Sequence, residues 1–340
     1  MLKVGIIGAR GYAGEELIGL LLKHPDARLT YLAATLDKAM PIDEVFPSLK
    51  GLTGLKCENF SYARVSEKCD LLFLALPHTV SMEVVPKLVK MGKMIIDLSA
   101  DYRLKNFGVY KQWYHKTHKD KKNLKKFVYG LPELYRESIR KSSLVANPGC
   151  YPTASILGIV PALVSGLADP DSIIIDAKSG VSGAGKKTTL DFSFCELNGN
   201  FKGYKFNIHQ HSPEIDQELS KVSSSKVNVV FCPHLMPVKR GIYATIYIRI
   251  KDHVAADKIE NIYKKFYKLE PFVRVRASCR LPELKDVVGT NFCDIGLVYD
   301  EARKLLIVAC VIDNLIKGAS GQAVQNMNIM CGFSERTALL

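Results

Sequence analysis

The sequence lacks any apolar run of the roughly 18 residues that a membrane-spanning helix needs. It has no C-x-x-C pair, and its nine cysteines are scattered, so neither a disulfide framework nor a structural zinc site is indicated. The first residues enter a strand pattern without the features of a signal peptide. We therefore expect a cytoplasmic protein with reduced thiols, no bound metal and no membrane partner.

Acidic residues are also scarce, with 34 Asp and Glu against 47 Lys and Arg, which gives a net charge of +13. Much of the excess lies in residues 105–126, where eight lysines and several aromatic residues surround one acid, Asp120. Such a segment could bind RNA, but a solvated surface loop is the favoured interpretation, and no nucleic-acid partner is expected. A length of 340 residues with 47% apolar residues predicts either two globular domains or one large one.

A glycine-rich turn follows the first predicted strand, at residues 3–8, and precedes a predicted helix that ends before Pro25. Strand, glycine turn and helix N-terminus together form the setting that binds a dinucleotide pyrophosphate. The spacing is G-x-x-G-x-x-G rather than the usual G-x-G-x-x-G. The candidate cofactor-binding residues in this turn are Gly8, Arg10, Gly11, Tyr12, Ala13 and Gly14.

The second predicted strand, residues 29–34, ends without the acid that often binds the ribose of NAD. The first acid comes at Asp37, beside Lys38, and Arg10 lies in the glycine turn. The two cations, together with an acid that comes only after the strand has ended, favour binding of a phosphate on the ribose over binding of its free hydroxyl. The predicted cofactor is therefore NADP.

Two further apolar runs, residues 70–77 and 93–97, are typical of parallel strands buried on both faces. Ligands of such sheets bind beyond the carboxyl ends of the strands. Pro77 and Ser99 lie there and are candidate cofactor-binding residues. Arg103 follows on the second loop, where its guanidinium could bind a carboxylate or phosphate or simply form a salt bridge.

Cys150 is the candidate nucleophile. A short strand ends at the Pro148-Gly149 break, Cys150 follows, and Pro152 is expected to open a helix. The N–H groups and positive dipole end of a helix lower the pKa of a thiol and can hold an oxyanion. Cysteine is also a common core residue, and the residues around Cys150 leave both interpretations open.

Two further loops carry polar side chains. Residues 179–186 resemble a phosphate-binding loop, but Lys187 replaces its Ser or Thr, so we interpret Ser182 and Lys186 as substrate-binding residues. Residues 209–215 place His209, His211 and Glu214 at a helix start, with Ser212 expected as the cap. A carboxylate near an imidazole is typical of a base and the group that orients it.

The second half of the chain predicts an α+β domain, because strand 241–250 alternates with period two. A final helix, 314–330, is too apolar for solvent and is expected to pack on the first domain. We therefore predict a cofactor domain at 1–147 plus 314–340 and a catalytic and oligomerisation domain at 148–313.

The whole chain resembles the N-acetyl-γ-glutamyl-phosphate reductases of arginine biosynthesis. The resemblance rests on several long motifs in the family's order: GARGYAG, FLALPH, IDLSADYRL, YGLPEL, ANPGCYPT, DAKSGVSGAGK, HQHSPEI, PHLMPVKRG and DNLIKGASGQAVQNMN. It implies a Rossmann-type NADP-binding domain and a catalytic domain like those of aspartate-semialdehyde and glyceraldehyde-phosphate dehydrogenases. The chain departs from the family at Arg10, where Ser is usual, and in the atypical segment 35–38.

By this resemblance Cys150 is the nucleophile, His211 the acid–base, and Glu214 a supporting residue. Arg103 and His209 fall on substrate positions, and Asn314 would face the nicotinamide carboxamide. The implied reaction is NADPH-dependent reduction of an acyl phosphate to an aldehyde through a Cys150 thioester. The expected assembly is a homodimer or homotetramer.

Two alternatives stay open from the sequence. The same chemistry could act on a carrier-protein-linked aminoadipyl phosphate or on aspartyl phosphate, and the +13 charge would suit an acidic carrier. A catalytically idle NADP-binding or RNA-binding protein is a different class. The presence of Cys150, His211 and Glu214 together argues against that class.

Overall fold

The computed structural model describes residues 1–186, 189–277 and 280–340. The chain divides into two compact units, residues 1–148 with 319–340 and residues 149–318. The first unit thus combines the N-terminal half of the chain with its last 22 residues (319–340).

The described strands of the first unit form one sheet in the order β3-β4-β2-β1-β5-β6-β8-β7. Neighbouring strands run parallel except β3 and β4. Central strand β5 is apolar throughout and fully buried, and the last four residues of β1 are buried as well, as parallel strands with two covered faces require. The strands are β1 (Leu2–Ile7), β2 (Ala27–Ala33), β3 (Met40–Pro41), β4 (Lys56–Glu58), β5 (Leu71–Leu74), β6 (Met94–Asp97), β7 (Val128–Tyr129) and β8 (Leu144–Ala146).

Helices connect these strands, and the last helix of the chain belongs to the same unit. Asn326 on that helix donates from Nδ2 to the Gly130 carbonyl at 2.8 Å and to Asn147 Oδ1 at 3.0 Å. The terminal helix is therefore held by hydrogen bonds as well as by apolar packing. The helices of this unit are α1 (Tyr12–Leu22), α2 (Ile42–Val45), α3 (Tyr62–Lys68), α4 (Ser81–Lys90), α5 (Phe107–Tyr114), α6 (Lys121–Leu124), α7 (Pro132–Arg140) and α12 (Gly321–Met330).

The lysine-rich segment is not the solvated loop that its charge predicts. It forms α5 and α6, and Tyr110 is fully buried with its hydroxyl 2.7 Å from Asp101 Oδ1. His118 is buried too, and its Nε2 lies 2.7 Å from the Asp101 carbonyl oxygen. The aromatic side chains pack inward while most of the lysines stay exposed. The segment is structural on one face and solvated on the other.

The described strands of the second unit form a mixed sheet in the order β10-β11-β9-β12-β15-β14-β13. Pairs β9–β11 and β13–β14 are parallel and the others antiparallel. The strands are β9 (Ile174–Gly180), β10 (Lys202–Gly203), β11 (Val230–Met236), β12 (Ile242–Arg249), β13 (Val273–Val275), β14 (Cys293–Asp300) and β15 (Leu305–Ile312). The helices are α8 (Cys150–Val164), α9 (Phe194–Leu197), α10 (Ser212–Ser223) and α11 (Ala256–Phe266). This architecture agrees with the predicted α/β plus α+β fold.

Helix α8 covers one face of the second sheet. A Cβ on Gly158 of α8 would lie only 2.6 Å from Ile246 Cδ1 on β12, so the helix and the sheet are in close contact. The opposite face is open, because alternate residues of β9, β11 and β12 are partly exposed. Ile174 and Val230 on that face are each 42% exposed. An open, partly apolar sheet face is a surface that a second chain could cover.

Candidate active site

Cys150 is the first residue of α8, so the helix begins two residues before Pro152, the residue expected to open it. Gly149 is the N-cap, and its carbonyl accepts the Thr153 N–H and hydroxyl at 2.9 Å each. Pro152 falls in the first turn, where a missing N–H costs little. The half-buried thiol therefore lies at the positive end of a 15-residue helix.

Glu214 fixes the backbone beside this thiol. Its side chain is 1% exposed on the first turn of α10, and its Oε1 accepts the Gly149 N–H at 2.8 Å. The residue that caps α10 is His211, with φ −82° and ψ −15°, whereas the sequence predicts Ser212. Ser212 is instead the first helical residue and Pro213 the second.

The imidazole of His211 lies directly against Gly149. A Cβ on Gly149 would lie 2.5 Å from His211 Nε2, closer than any side chain allows. On another side of the nucleophile, a Cβ on Gly318 would lie 2.7 Å from Cys150 Cβ. The φ of Gly149 is −69°, which any residue adopts, so space and not backbone conformation requires this glycine. Sequence reasoning used Gly149 only as a strand break and gave neither glycine a role in the site.

His209 lies beside His211 with a ring-to-ring distance of 4.9 Å. Its Nδ1 accepts the backbone N–H of His211 at 3.1 Å, which fixes the orientation of the ring. The ring is 9% exposed and makes edge contacts with Tyr151 and Tyr204. Both histidines therefore belong to one turn that faces Cys150.

Cys150, His209 and His211 line a cavity of about 880 Å³ within the second unit. Tyr151 and Tyr204 meet in its wall, with their hydroxyl oxygens 3.0 Å apart. Burial raises the pKa of Tyr204 to about 12, the hydrogen bond with Tyr151 opposes the rise, and charge on Cys150 adds to it. Both phenols stay protonated near neutral pH, because burial also raises the pKa of Tyr151. Neither tyrosine was identified from the sequence, where aromatic residues near a helix start are usually core.

The loop after β9 is tied to Asn314. Ser182 Oγ accepts from Asn314 Nδ2 at 3.0 Å, and Asn314 Oδ1 accepts the Gly241 N–H at 2.7 Å. Both Ser182 and Asn314 are buried, whereas Lys186 is exposed. Lys187, which distinguishes this loop from a phosphate-binding loop, lies outside the described residues.

The glycine turn of the first unit depends on close backbone contacts. Gly8 has φ +95°, and a Cβ there would lie 2.1 Å from the Ala75 oxygen. A Cβ on Gly14 would lie 2.5 Å from the Ala9 oxygen. Gly11 caps α1, which begins with Tyr12 and Ala13. The first-turn N–H groups of α1 have no carbonyl partner within the helix, so this turn fits a pyrophosphate.

Arg10 reaches the carboxyl end of β2. Its Nη1 donates to the Thr35 carbonyl at 3.3 Å, and the side chain is exposed. Lys38 is exposed three residues further along the same loop. Both cations lie beyond the carboxyl end of β2, the edge at which ligands of parallel sheets bind.

The other predicted residues of the first unit differ in accessibility. Pro77 is exposed after β5. Ser99 is fully buried, and its hydroxyl donates to Asp97 Oδ2 at 2.8 Å, so any effect on a cofactor would act through the loop it holds. Arg103 is 4% exposed and donates to the carbonyls of Asn147 at 2.7 Å and Leu98 at 2.6 Å. Arg103 thereby fixes the end of β8, a role that sequence reasoning did not identify.

Among residues 1–186, 189–277 and 280–340, no group of three or more His, Cys, Asp or Glu side chains could hold a metal ion. The helices of the same ranges are all too short or too polar to cross a bilayer.

Comparison with known proteins identifies two domains. Residues 3–142 match the NAD-binding domain of semialdehyde dehydrogenases, and residues 150–314 match their dimerisation domain. N-acetyl-γ-glutamyl-phosphate reductases from Desulfotalea psychrophila and from a Geobacter species (strain M21) are each 48% identical over 340 residues, which is 100% of this chain and 98% of those proteins.

Solved structures support the fold. Aspartate semialdehyde dehydrogenase II from Vibrio cholerae superposes with a TM-score of 0.73 at 16% identity, covering 98% of this chain and 99% of that one. The Candida albicans enzyme, solved with NADP, gives 0.72 at 16% identity over 97% and 99%. The predicted fold class is confirmed.

Proposed function

The chain belongs to the N-acetyl-γ-glutamyl-phosphate reductase family, and on that premise we propose that it reduces N-acetyl-γ-glutamyl phosphate with NADPH in arginine biosynthesis. The products are N-acetylglutamate semialdehyde, phosphate and NADP⁺. The observation that carries the proposal is the arrangement at the start of α8. There, Cys150 lies between two glycines, His211 touches Gly149, and Glu214 accepts the Gly149 N–H.

In the first half-reaction the Cys150 thiolate attacks the acyl carbon. A C–S bond forms, the bond from carbon to the phosphate oxygen breaks, and a thioester remains. The N–H groups at the start of α8 stabilise the oxyanion of the tetrahedral intermediate. His211 is the acid–base group and gives a proton to the departing phosphate.

In the second half-reaction the thioester is reduced. Bound NADPH supplies the hydride for this step. Hydride addition leaves an alkoxide, which takes up one proton from solvent to become the hydroxyl of the thiohemiacetal. His211 removes that proton as the C–S bond breaks, which releases the semialdehyde, restores the thiolate and returns the imidazole to its protonated form. One proton is consumed overall, and it leaves on the phosphate.

Residues around the reacting carbon have supporting roles in this proposal. His209, with its ring fixed on the cavity wall, contacts the substrate. Ser182 and Lys186 form the substrate-side loop. Asn314 donates to Ser182 and would face the nicotinamide carboxamide. Arg103 binds an anionic group of the substrate or, through its two carbonyl contacts, fixes the chain before Cys150.

The cofactor proposal rests on the first unit. Gly8, Gly11, Tyr12, Ala13 and Gly14 would hold the pyrophosphate at the start of α1. Pro77 and the loop held by Ser99 would flank the nicotinamide half, and Arg10 and Lys38 would bind the ribose phosphate.

We propose a homodimer or homotetramer in the cytoplasm. The match to a dimerisation domain and the open face of the second sheet support the assembly. A biosynthetic reaction on small water-soluble metabolites supports the location.

The function is tested in the reverse direction, with aldehyde, phosphate and NADP⁺. We expect kcat/KM for N-acetylglutamate semialdehyde to exceed that for aspartate semialdehyde by about a hundredfold or more, because the cavity must accommodate an acetamide. NADPH formation is followed at 340 nm, the absorbance band of the reduced cofactor. Equal or better use of aspartate semialdehyde, or of a carrier-linked aminoadipate semialdehyde, would replace the proposed substrate.

Cofactor choice gives a separate prediction. We expect NADP⁺ to exceed NAD⁺ in kcat/KM and Arg10→Ala to reduce that ratio roughly tenfold, since one charge-assisted contact to the phosphate is lost. Arg28→Ala is the matched control, because Arg28 is an exposed arginine on β2. An unchanged ratio of kcat/KM for NADP⁺ to kcat/KM for NAD⁺ in Arg10→Ala would show that Arg10 does not bind the ribose phosphate.

A further inference from the structure

The loop between β10 and α10 has an unusual backbone at the cavity wall. Lys205 and Asn207 both have left-handed conformations, with φ of 49° and 55°. Asparagine tolerates this region, whereas lysine adopts it only with backbone strain. The conformation places a lysine in the lining of the cavity that contains Cys150.

Hydrogen bonds to β11 hold this loop on both sides of Lys205. The Tyr204 N–H donates to the Pro233 carbonyl at 3.0 Å, and the Asn207 N–H donates to the Phe231 carbonyl at 2.9 Å. The Phe231 N–H donates back to Asn207 Oδ1 at 2.9 Å. Lys205 is therefore presented by a fixed turn and not by a freely moving loop.

The charges of the cavity lining are unbalanced. Among the described residues, the lining contains two lysines and one acid, and Lys202 Nζ is paired with Asp191 Oδ1 at 3.1 Å. Within the part of the chain that the structure describes, Lys205 has no ion pair. Lys205 thus adds to the cavity lining a positive charge that no described acid pairs with.

Resting on the proposed function, we propose that Lys205 binds the free carboxylate of the substrate, the one that takes no part in the reaction. This carboxylate lies at the far end of the substrate from the acyl carbon. Cys150, Lys205 and the paired hydroxyls of Tyr151 and Tyr204 all line the same cavity, so one bound substrate can contact the thiol and the lysine together. The phosphate must instead leave from the carbon that Cys150 attacks, beside the start of α8. Lys205 therefore selects aldehydes and acyl phosphates that carry a carboxylate.

The test compares N-acetylglutamate semialdehyde with acetamidobutanal, the same aldehyde without the carboxylate. In Lys205→Met we expect KM for the carboxylated aldehyde to rise roughly 10- to 100-fold, since a charge-assisted contact is lost. The kcat, the KM for acetamidobutanal and the KM for phosphate should each stay within about threefold. Lys205→Arg should retain most of the preference, because the cation is kept and the backbone strain is the same.

Lys268→Met is the matched control, an exposed lysine that follows α11. Circular dichroism and gel filtration establish that each variant is folded, and Lys205→Gln is the second variant should methionine reduce solubility. Equal loss on both aldehydes, or a selective rise in KM for phosphate, would overturn the inference. A wild-type enzyme that fails to oxidise N-acetylglutamate semialdehyde would instead overturn the proposed function. The two failures are therefore distinguishable.

Discussion

Replacing Cys150 by serine should reduce kcat by more than about a thousandfold while leaving the fold intact. A serine hydroxyl is not ionised near pH 7, so the helix N-terminus has no thiolate to stabilise. The side chains have nearly the same volume, and the half-buried position tolerates the exchange. The measurement is NADPH formation from aldehyde, phosphate and NADP⁺ at equal concentrations of folded enzyme.

Cys331→Ser provides the comparison. Cys331 is also half-buried, but burial raises the pKa of its thiol to about 11, so it stays protonated at neutral pH. That variant should retain full activity, and iodoacetamide should label Cys150 far faster than Cys331 in the wild type. Activity of Cys150→Ser within about tenfold of wild type would remove Cys150 from the role of nucleophile.

The second large effect is expected at His211. His211→Asn should lower kcat by roughly 10²–10⁴ with little change in KM, because the imidazole against Gly149 is the proposed proton carrier. His209→Asn should mainly raise KM, since its Nδ1 is already engaged by the His211 N–H and its ring faces the cavity. Full steady-state kinetics on both variants separate the two roles.

His253→Asn, at an exposed position between β12 and α11, is the control for a general effect of removing an imidazole. Labelling of Cys150 by iodoacetamide should survive in both site variants. If the phenotypes were exchanged, with kcat falling for His209 and KM rising for His211, the roles would have to be exchanged as well. Equal loss of kcat in both would show that the pair acts as a unit.

The sequence predicted the central strands of the first unit well, because each is a continuous apolar run. It did not predict β14, where Asp294 and Gly296 interrupt the pattern. Asp294 is fully buried and paired with Arg274, whose Nε lies 2.5 Å away. A buried acid is acceptable there only because the partner comes from a neighbouring strand, and a linear sequence does not show that pairing.

The prediction of a solvated loop for the lysine-rich segment was wrong for a different reason. Phe107, Tyr110 and Tyr114 recur at helical spacing, which was the available signal for α5. The count of lysines concealed it, because charge summed over a segment does not distinguish the two faces of a helix. The spacing of the aromatic residues was therefore a better predictor of this helix than the number of lysines.

At the site, the Pro148-Gly149 break was enough to predict a cysteine at a helix start, because that signal is local. The contact between Gly149 and His211 joins positions 62 residues apart (211 − 149). The hydrogen bond from Arg103 to the Asn147 carbonyl joins positions 44 residues apart. Neither follows from propensity or spacing, since both arise only when the chain has folded.

The two glycines beside Cys150 have a consequence for how this site can evolve. At Gly149 and Gly318 the nearest neighbours of a new Cβ would be the imidazole and the nucleophile themselves, at 2.5 and 2.7 Å. Even alanine, the smallest replacement, would displace a reacting group, although neither glycine has chemistry of its own. Substitution at these two positions is therefore restricted by the lack of space for any side chain. New substrate preferences must arise instead from the outer wall of the cavity, where side chains can change size without moving the thiol.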